Sequence, residues 1–86
     1  MLDAIAAQAE RQRYWRRWLA ARLPAALLAY VTGIVERKAE LVIFTASAAW
    51  GVRLRYALAE VETELRAASP EVQRVVVRVM PAARAR

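Results

Sequence analysis

The spacing of apolar residues changes three times along this 86-residue chain, and that order of periods confines it to a few helices packed on a small sheet. Residues 2–22 contain no Gly or Pro and are rich in Ala, Arg and Gln, the composition of a helix. Pro24 interrupts, but proline suits the first turn of a new helix, so residues 24–30 read as a short second helical piece carrying Leu27 and Leu28. From Val31 the period becomes two. Val31-Thr32-Gly33-Ile34-Val35 and Leu41-Val42-Ile43-Phe44-Thr45 are β-branched and aromatic runs of strand length. The polar stretch Glu36-Arg37-Lys38-Ala39-Glu40 between them is short enough for a hairpin, but without Asn-Gly or Asp-Gly its turn type stays open.

The helical period then returns. Ser47 is placed to cap a helix over residues 48–68, in which Trp50, Leu54, Ala57, Leu58, Val61 and Leu65 form one apolar stripe. Arg55, Ala59, Glu62 and Arg66 take the opposite face, with Glu62 and Arg66 a favourable i,i+4 pair. Ser69-Pro70 ends this helix. Residues 72–79 alternate as a last strand, Val75, Val77 and Val79 on one face and Arg74, Val76 and Arg78 on the other. Pro81 stops it, and residues 82–86 read as a frayed tail. The expected fold is α+β, one domain over residues 1–81: helix, short helix, strand, strand, helix, strand, with helices packed on a three-stranded sheet. The second sheet face is left either open or covered by the first helix.

Composition limits the chemistry. The chain has neither cysteine nor histidine, which removes disulfides, a thiol nucleophile, an imidazole base and the usual zinc sites. Glu60, Glu62 and Glu64 alternate along a helix and do not converge as a general acid/base pair or metal site would. A multi-domain enzyme is excluded, no enzyme of any kind is expected, and no cofactor or metal is called for. No apolar run approaches the ~18–20 residues of a membrane span. The opening Met1-Leu2-Asp3-Ala4-Ile5 is acidic where a secretory leader would be basic, so a cytoplasmic protein without membrane attachment is expected.

The charge balance is +6, from 14 basic against 8 acidic residues. A surplus of this sign suits an acidic partner such as nucleic acid. It also has a compositional reading, because 13 of the basic residues are arginine and 20 residues are alanine, excesses that GC-rich coding produces by itself. The first helix sharpens the choice. Leu2, Ile5, Ala6 and Ala9 share a face that continues as Arg13, Arg16 and Arg17, whereas Trp15, Trp18, Leu19 and Leu23 lie on the other side. One straight helix cannot bury both sets against one sheet. Residues 14–23 are therefore expected to dock, while residues 1–9 project as the start of the helix or residues 2–9 pack on a second copy of the chain. Arg13, Arg16 and Arg17 then face water, either as a solvated stripe or as guanidinium groups for phosphate.

Thr45-Ala46-Ser47-Ala48-Ala49-Trp50 followed by Arg53-Leu54-Arg55-Tyr56, with Leu23-Pro24 ahead of the first strand and Val75-Val76-Val77-Arg78-Val79 at the end, resembles the DciA family over residues 14–81. Members of that family begin with a KH-like domain and act as operators, or loaders, of the bacterial replicative DNA helicase. The resemblance implies a KH-like fold and a non-enzymatic adaptor in DNA replication, with the replicative helicase and DNA as partners. The chain departs from the pattern in several places. Arg37-Lys38-Ala39-Glu40 stands where relatives commonly carry a glycine turn, Gly51 replaces a more usual alanine, and the sequence stops just after the last strand, without the basic extension of many relatives. No Gly-x-x-Gly is present, so the phosphate clamp of true KH domains is missing.

Candidate contacts for nucleic acid or an acidic partner are Arg13, Arg16 and Arg17 on the first helix, with Arg53, Arg55, Arg74 and Arg78 as a second set. Trp50 is expected to be a core or half-buried anchor. Val52 and Tyr56, one helical turn apart on a flank away from the stripe, are a candidate partner site, against the reading that isolated exposed apolar residues are ordinary. Other function classes stay open beside the adaptor. They are a general single-stranded RNA- or DNA-binding module, and a domain that only binds protein or itself and whose charge is compositional.

Overall fold

Trp15 and Leu19, one helical turn apart, carry no solvent exposure and fix the first helix, α1 (Leu2–Ala20), to the rest of the molecule. The computed structural model describes residues 2–80; the side chains of Leu2, Asp3 and Ala4, the stop at Pro81 and the expected tail at 82–86 lie outside the described residues. Tyr14 and Trp18 flank the anchor edge-on, with ring centroids 5.1 and 5.7 Å from that of Trp15. The helix closes with Leu23 N–H donating to the Leu19 carbonyl at 2.7 Å. Pro24 then begins α2 (Ala25–Leu28), its φ of −59° preset by the ring. This second helix is a single turn.

β1 (Val31–Arg37) and β2 (Glu40–Thr45) pair antiparallel, with a bulge between Val31 and Gly33 that leaves Thr32 exposed. Glu36 and Arg37, assigned by sequence to the connection, are strand residues opposite Leu41 and Glu40. Only Lys38 and Ala39 remain as the turn, and both take left-handed backbone, φ 50° and 67°. That is the mirror-image geometry that matches the twist of a two-residue hairpin, here without a glycine or asparagine.

Ser47 begins α3 (Ala48–Glu60), its hydroxyl accepting from Trp50 N–H at 3.3 Å. The single helix expected over 48–68 is instead two, because the chain leaves helical geometry at Val61 (φ −107°, ψ 10°) before α4 (Glu62–Ala68). The break has a local cause. Two β-branched residues, Val61 and Thr63, lie among Glu60, Glu62 and Glu64, and restarting the helix puts Glu62 and Glu64 in its first turn, where the dipole favours acids. β3 (Arg74–Val79) returns parallel to β2, giving the sheet order β1-β2-β3. Its entry is held at the hairpin, since the N–H groups of Gln73 and Arg74 both donate to the Ala39 carbonyl, at 2.7 and 3.2 Å.

The result is α+β, with every helix on one side of the sheet. Trp15, Leu19, Leu54, Leu58, Leu65 and Val72 pack on Ile34, Leu41, Ile43 and Val77, which the strand register puts on a single face. Gly51 allows α3 to lie close to that face: a Cβ there would meet Val79 Cγ2 at 3.3 Å and Thr45 Cγ2 at 3.5 Å. The opposite face carries three rows across the strands, Arg37–Glu40–Arg74, Val35–Val42–Val76 and Gly33–Phe44–Arg78. None of these nine residues belongs to the helix-side cluster, although Val42, at the centre of the middle row, is itself buried. No described helix is long and apolar enough to cross a membrane.

A candidate nucleic-acid interface

The anchor at Trp15 determines where α1 points its charges. Each residue turns the helix by about 100°, so Arg13, Arg16 and Arg17 fall roughly 100–200° around the helix from Trp15, facing away from the sheet. All of them are exposed, and none forms an ion pair among the described residues. Arg13 stands three residues from Arg16 and four from Arg17, the spacings at which side chains are surface neighbours. Glu10 and Tyr14 line a shallow depression with Arg13 and Arg17, making Glu10 the acid at the margin of the stripe.

Other arginines are engaged. Arg11 donates to both carboxylate oxygens of Glu36, at 2.9 and 3.2 Å, and to Ser69 Oγ at 3.1 Å. The hydrogen bond to Glu36 raises the Arg11 pKa further, so this guanidinium stays charged. The buried Trp15 indole N–H also donates to Glu36, at 2.9 Å. Arg22 pairs with Glu64 at 3.4 Å and lies 4.0 Å over the Trp18 ring. Arg66 pairs with Glu62, and Arg74 with Glu40 at 2.7 Å. An open groove of about 470 Å³ between α1 and the hairpin is lined by the cations Arg11, Arg37 and Lys38 and the acids Glu36 and Glu71, with Arg11 already engaged by Glu36.

Arg53, Arg55, Arg74 and Arg78 do not form one surface. Arg74 and Arg78 belong to the open sheet face, while Arg53 and Arg55 belong to α3 on the helix side. Arg53 lies 4.9 Å from the centre of the Trp50 ring. Arg55 reaches the Val77 carbonyl at 3.5 Å, partly closing the edge of the last strand. Trp50 is half-buried and stacked on Tyr30, centroids 4.1 Å apart and planes 10° from parallel, so it ties α3 to the segment before β1. Val52 and Tyr56 are 47% and 73% exposed. Ile5, in the amino-terminal part of α1, is 62% exposed.

Two participants escaped the sequence reading. Arg37 is an exposed cation of the open face, and the alternation that places Val35 there would have identified it had the strand been extended by two residues. Tyr30 as the partner of Trp50 had no signal in spacing, because the pair forms between separate elements. Among the described residues no three acidic side chains come together as metal ligands would. No protein-family model, curated protein or solved structure matches this chain.

Proposed function

We propose that this chain is a non-enzymatic adaptor of the DciA type, which holds DNA weakly through its phosphates and presents a second surface to the replicative helicase. The observation that carries the DNA part is the stripe of Arg13, Arg16 and Arg17, rigidly mounted, exposed and unpaired on the side of α1 away from the sheet. Guanidinium groups so placed can bind phosphate oxygens and release counterions without reading a base. The α3–α4 junction favours no such contact, since Glu60 and Glu62 flank Val61 where a phosphate clamp would need glycines and free N–H groups. The helicase part rests on the resemblance around Ser47, Trp50 and Arg53, and on Val52 and Tyr56 as an exposed apolar pair on α3.

The test exchanges Arg13, Arg16 and Arg17 together for Gln or for Lys. Both keep helix propensity, and only lysine keeps charge. The glutamine variant should lose most of its affinity for duplex and single-stranded DNA while the lysine variant keeps part of it. Equal binding by all three proteins contradicts the DNA reading. Recovery of the helicase from nuclease-treated host lysate tests the other half, and its loss after nuclease treatment leaves a general nucleic-acid-binding module as the better description.

A further inference from the structure

Along the groove between α1 and the hairpin, β1 presents its unpaired edge, and we propose that this edge takes an extended acidic segment of a partner protein as a fourth strand. Ile34, Val35, Glu36 and Arg37 all line the groove. Successive side chains of a strand point to opposite faces, so four consecutive residues line one groove together where the strand turns its backbone edge toward it. The register says which backbone groups are offered. Arg37 and Glu40 flank the two-residue turn and bond each other, as do Val35 and Val42; Ile34 and Glu36, between these pairs, direct N–H and C=O away from β2. Among the described residues those groups have no backbone partner, and β1 has no strand on its other side. The other wall is α1, where Ala7, Gln8 and Gln12 are exposed although they line the groove. A channel of about 470 Å³ between a helix and a free strand edge suits strand addition, in which backbone bonds give affinity and side-chain neighbours give specificity.

Charge selects the occupant. Arg37 and Lys38, both exposed at the hairpin end, form no ion pair among the described residues, whereas Arg11 is held by Glu36 and Glu71 by the Ser69 hydroxyl. An antiparallel strand bonded to Ile34 and Glu36 sets its side chains closest to Val35 and Arg37, which become the non-hydrogen-bonded positions. The fitting segment therefore carries an aliphatic residue beside Val35 and, two residues toward its own amino terminus, a carboxylate beside Arg37. The bulge between Val31 and Gly33 confines regular pairing to this stretch. A phosphate backbone fits worse, because Glu36 and Glu71 in the lining repel it. β1 of a second copy would bring its own α1 against a groove that α1 already walls. Arg13, Arg16 and Arg17 take no part in the lining, so the edge is open whether or not DNA occupies that stripe.

The probe is a capped peptide of about six residues, the length of an ordinary strand, alternating threonine and valine with one glutamate two residues ahead of a valine. One control has lysine in place of glutamate; another carries N-methyl groups on the amides directed at β1. Followed by NMR on the whole protein, amide exchange should slow about tenfold or more at Ile34 and Glu36 with the glutamate peptide. Val35 and Arg37, already bonded to β2, should keep their rates. Neither control should protect any of these amides. R37E/K38E should reverse the preference, so that the lysine peptide protects Ile34 and Glu36, a result no misfolded variant could give. Several results overturn the proposal: no protection at about 1 mM peptide, the range of weak complexes, equal protection by the glutamate and lysine peptides, binding undiminished by N-methylation, or release of the peptide by oligothymidylate. Protection of Ile34 and Glu36 that rises with protein concentration alone would assign the edge to a second copy instead.

Discussion

Ala39 occupies a backbone region that side chains resist. Its φ of 67° brings the Cβ close to the following carbonyl oxygen, which costs an L-residue about 1–2 kcal/mol, and Lys38 beside it shares the condition at φ 50°. Replacing Ala39 by glycine removes the clash but gives the unfolded chain more freedom, an opposing effect of about 0.4–1 kcal/mol. The balance is a gain of about 0.5–1 kcal/mol for Ala39→Gly. Nothing else should change, because the contact made by Ala39 that matters, its carbonyl receiving Gln73 and Arg74 N–H, belongs to the backbone. For a domain of this size 1 kcal/mol moves the midpoint by roughly 4–8 °C, so thermal unfolding followed by far-UV circular dichroism should show a rise of about 2–8 °C. Ala39→Val should lower it, since a β-branched residue fits left-handed backbone worse. A fall in Tm for the glycine variant would mean that the turn does not hold two left-handed residues.

Glu36→Ala orphans the Trp15 indole N–H in the core and releases Arg11, and urea denaturation should register a loss of about 2 kcal/mol. Glu36→Gln, which keeps an acceptor for the indole, should recover part of that. Trp50→Ala should cost about 2–3 kcal/mol, below the 3–5 typical of a fully buried aromatic ring, because the residue is half-buried and its stacking on Tyr30 is the main loss. The hydrogen bond from Ser69 Oγ holds the Glu71 carboxyl below its ordinary pKa of 4.5. The contact therefore favours the folded state above that value and fades as pH falls through the lowered one. A carboxyl-detected NMR titration should show the depressed value in the parent and its return upward in Ser69→Ala.

The parts legible in the sequence are those governed by local periodicity. The two-residue alternation through Leu41, Val42 and Ile43, the proline at 24 and the cap at Ser47 each specify an element within a few residues, and the same side-chain periods put Arg13, Arg16 and Arg17 opposite Trp15. Errors arose where a contact between distant segments decides the outcome. Polar Glu36 and Arg37 look like loop until Glu36 is seen to receive Arg11 and Trp15 and Arg37 to pair with Glu40 in the ladder. A lysine and an alanine carry no turn signal, and they hold left-handed backbone because the strands on both sides and the entry to β3 impose it. The break at Val61 was readable from the clustered acids and β-branched residues, but the apolar stripe running from Leu54 to Leu65 concealed it. Arg53, Arg55, Arg74 and Arg78 could be assigned to elements but not to surfaces, because sequence does not reveal on which side of a sheet a helix lies.

Phosphate binding by α1 is tested most directly by the dependence of DNA affinity on salt. The logarithm of the association constant for duplex DNA should fall linearly with the logarithm of salt concentration, each phosphate contact adding about 0.9 to the slope. Exchanging Arg13, Arg16 and Arg17 together for Gln should make that slope shallower by up to about 2.7, with the helix content of the protein unchanged. Coincident slopes for parent and variant, or a parent that does not bind DNA even at low salt, would contradict the assignment and leave the +6 charge a matter of composition.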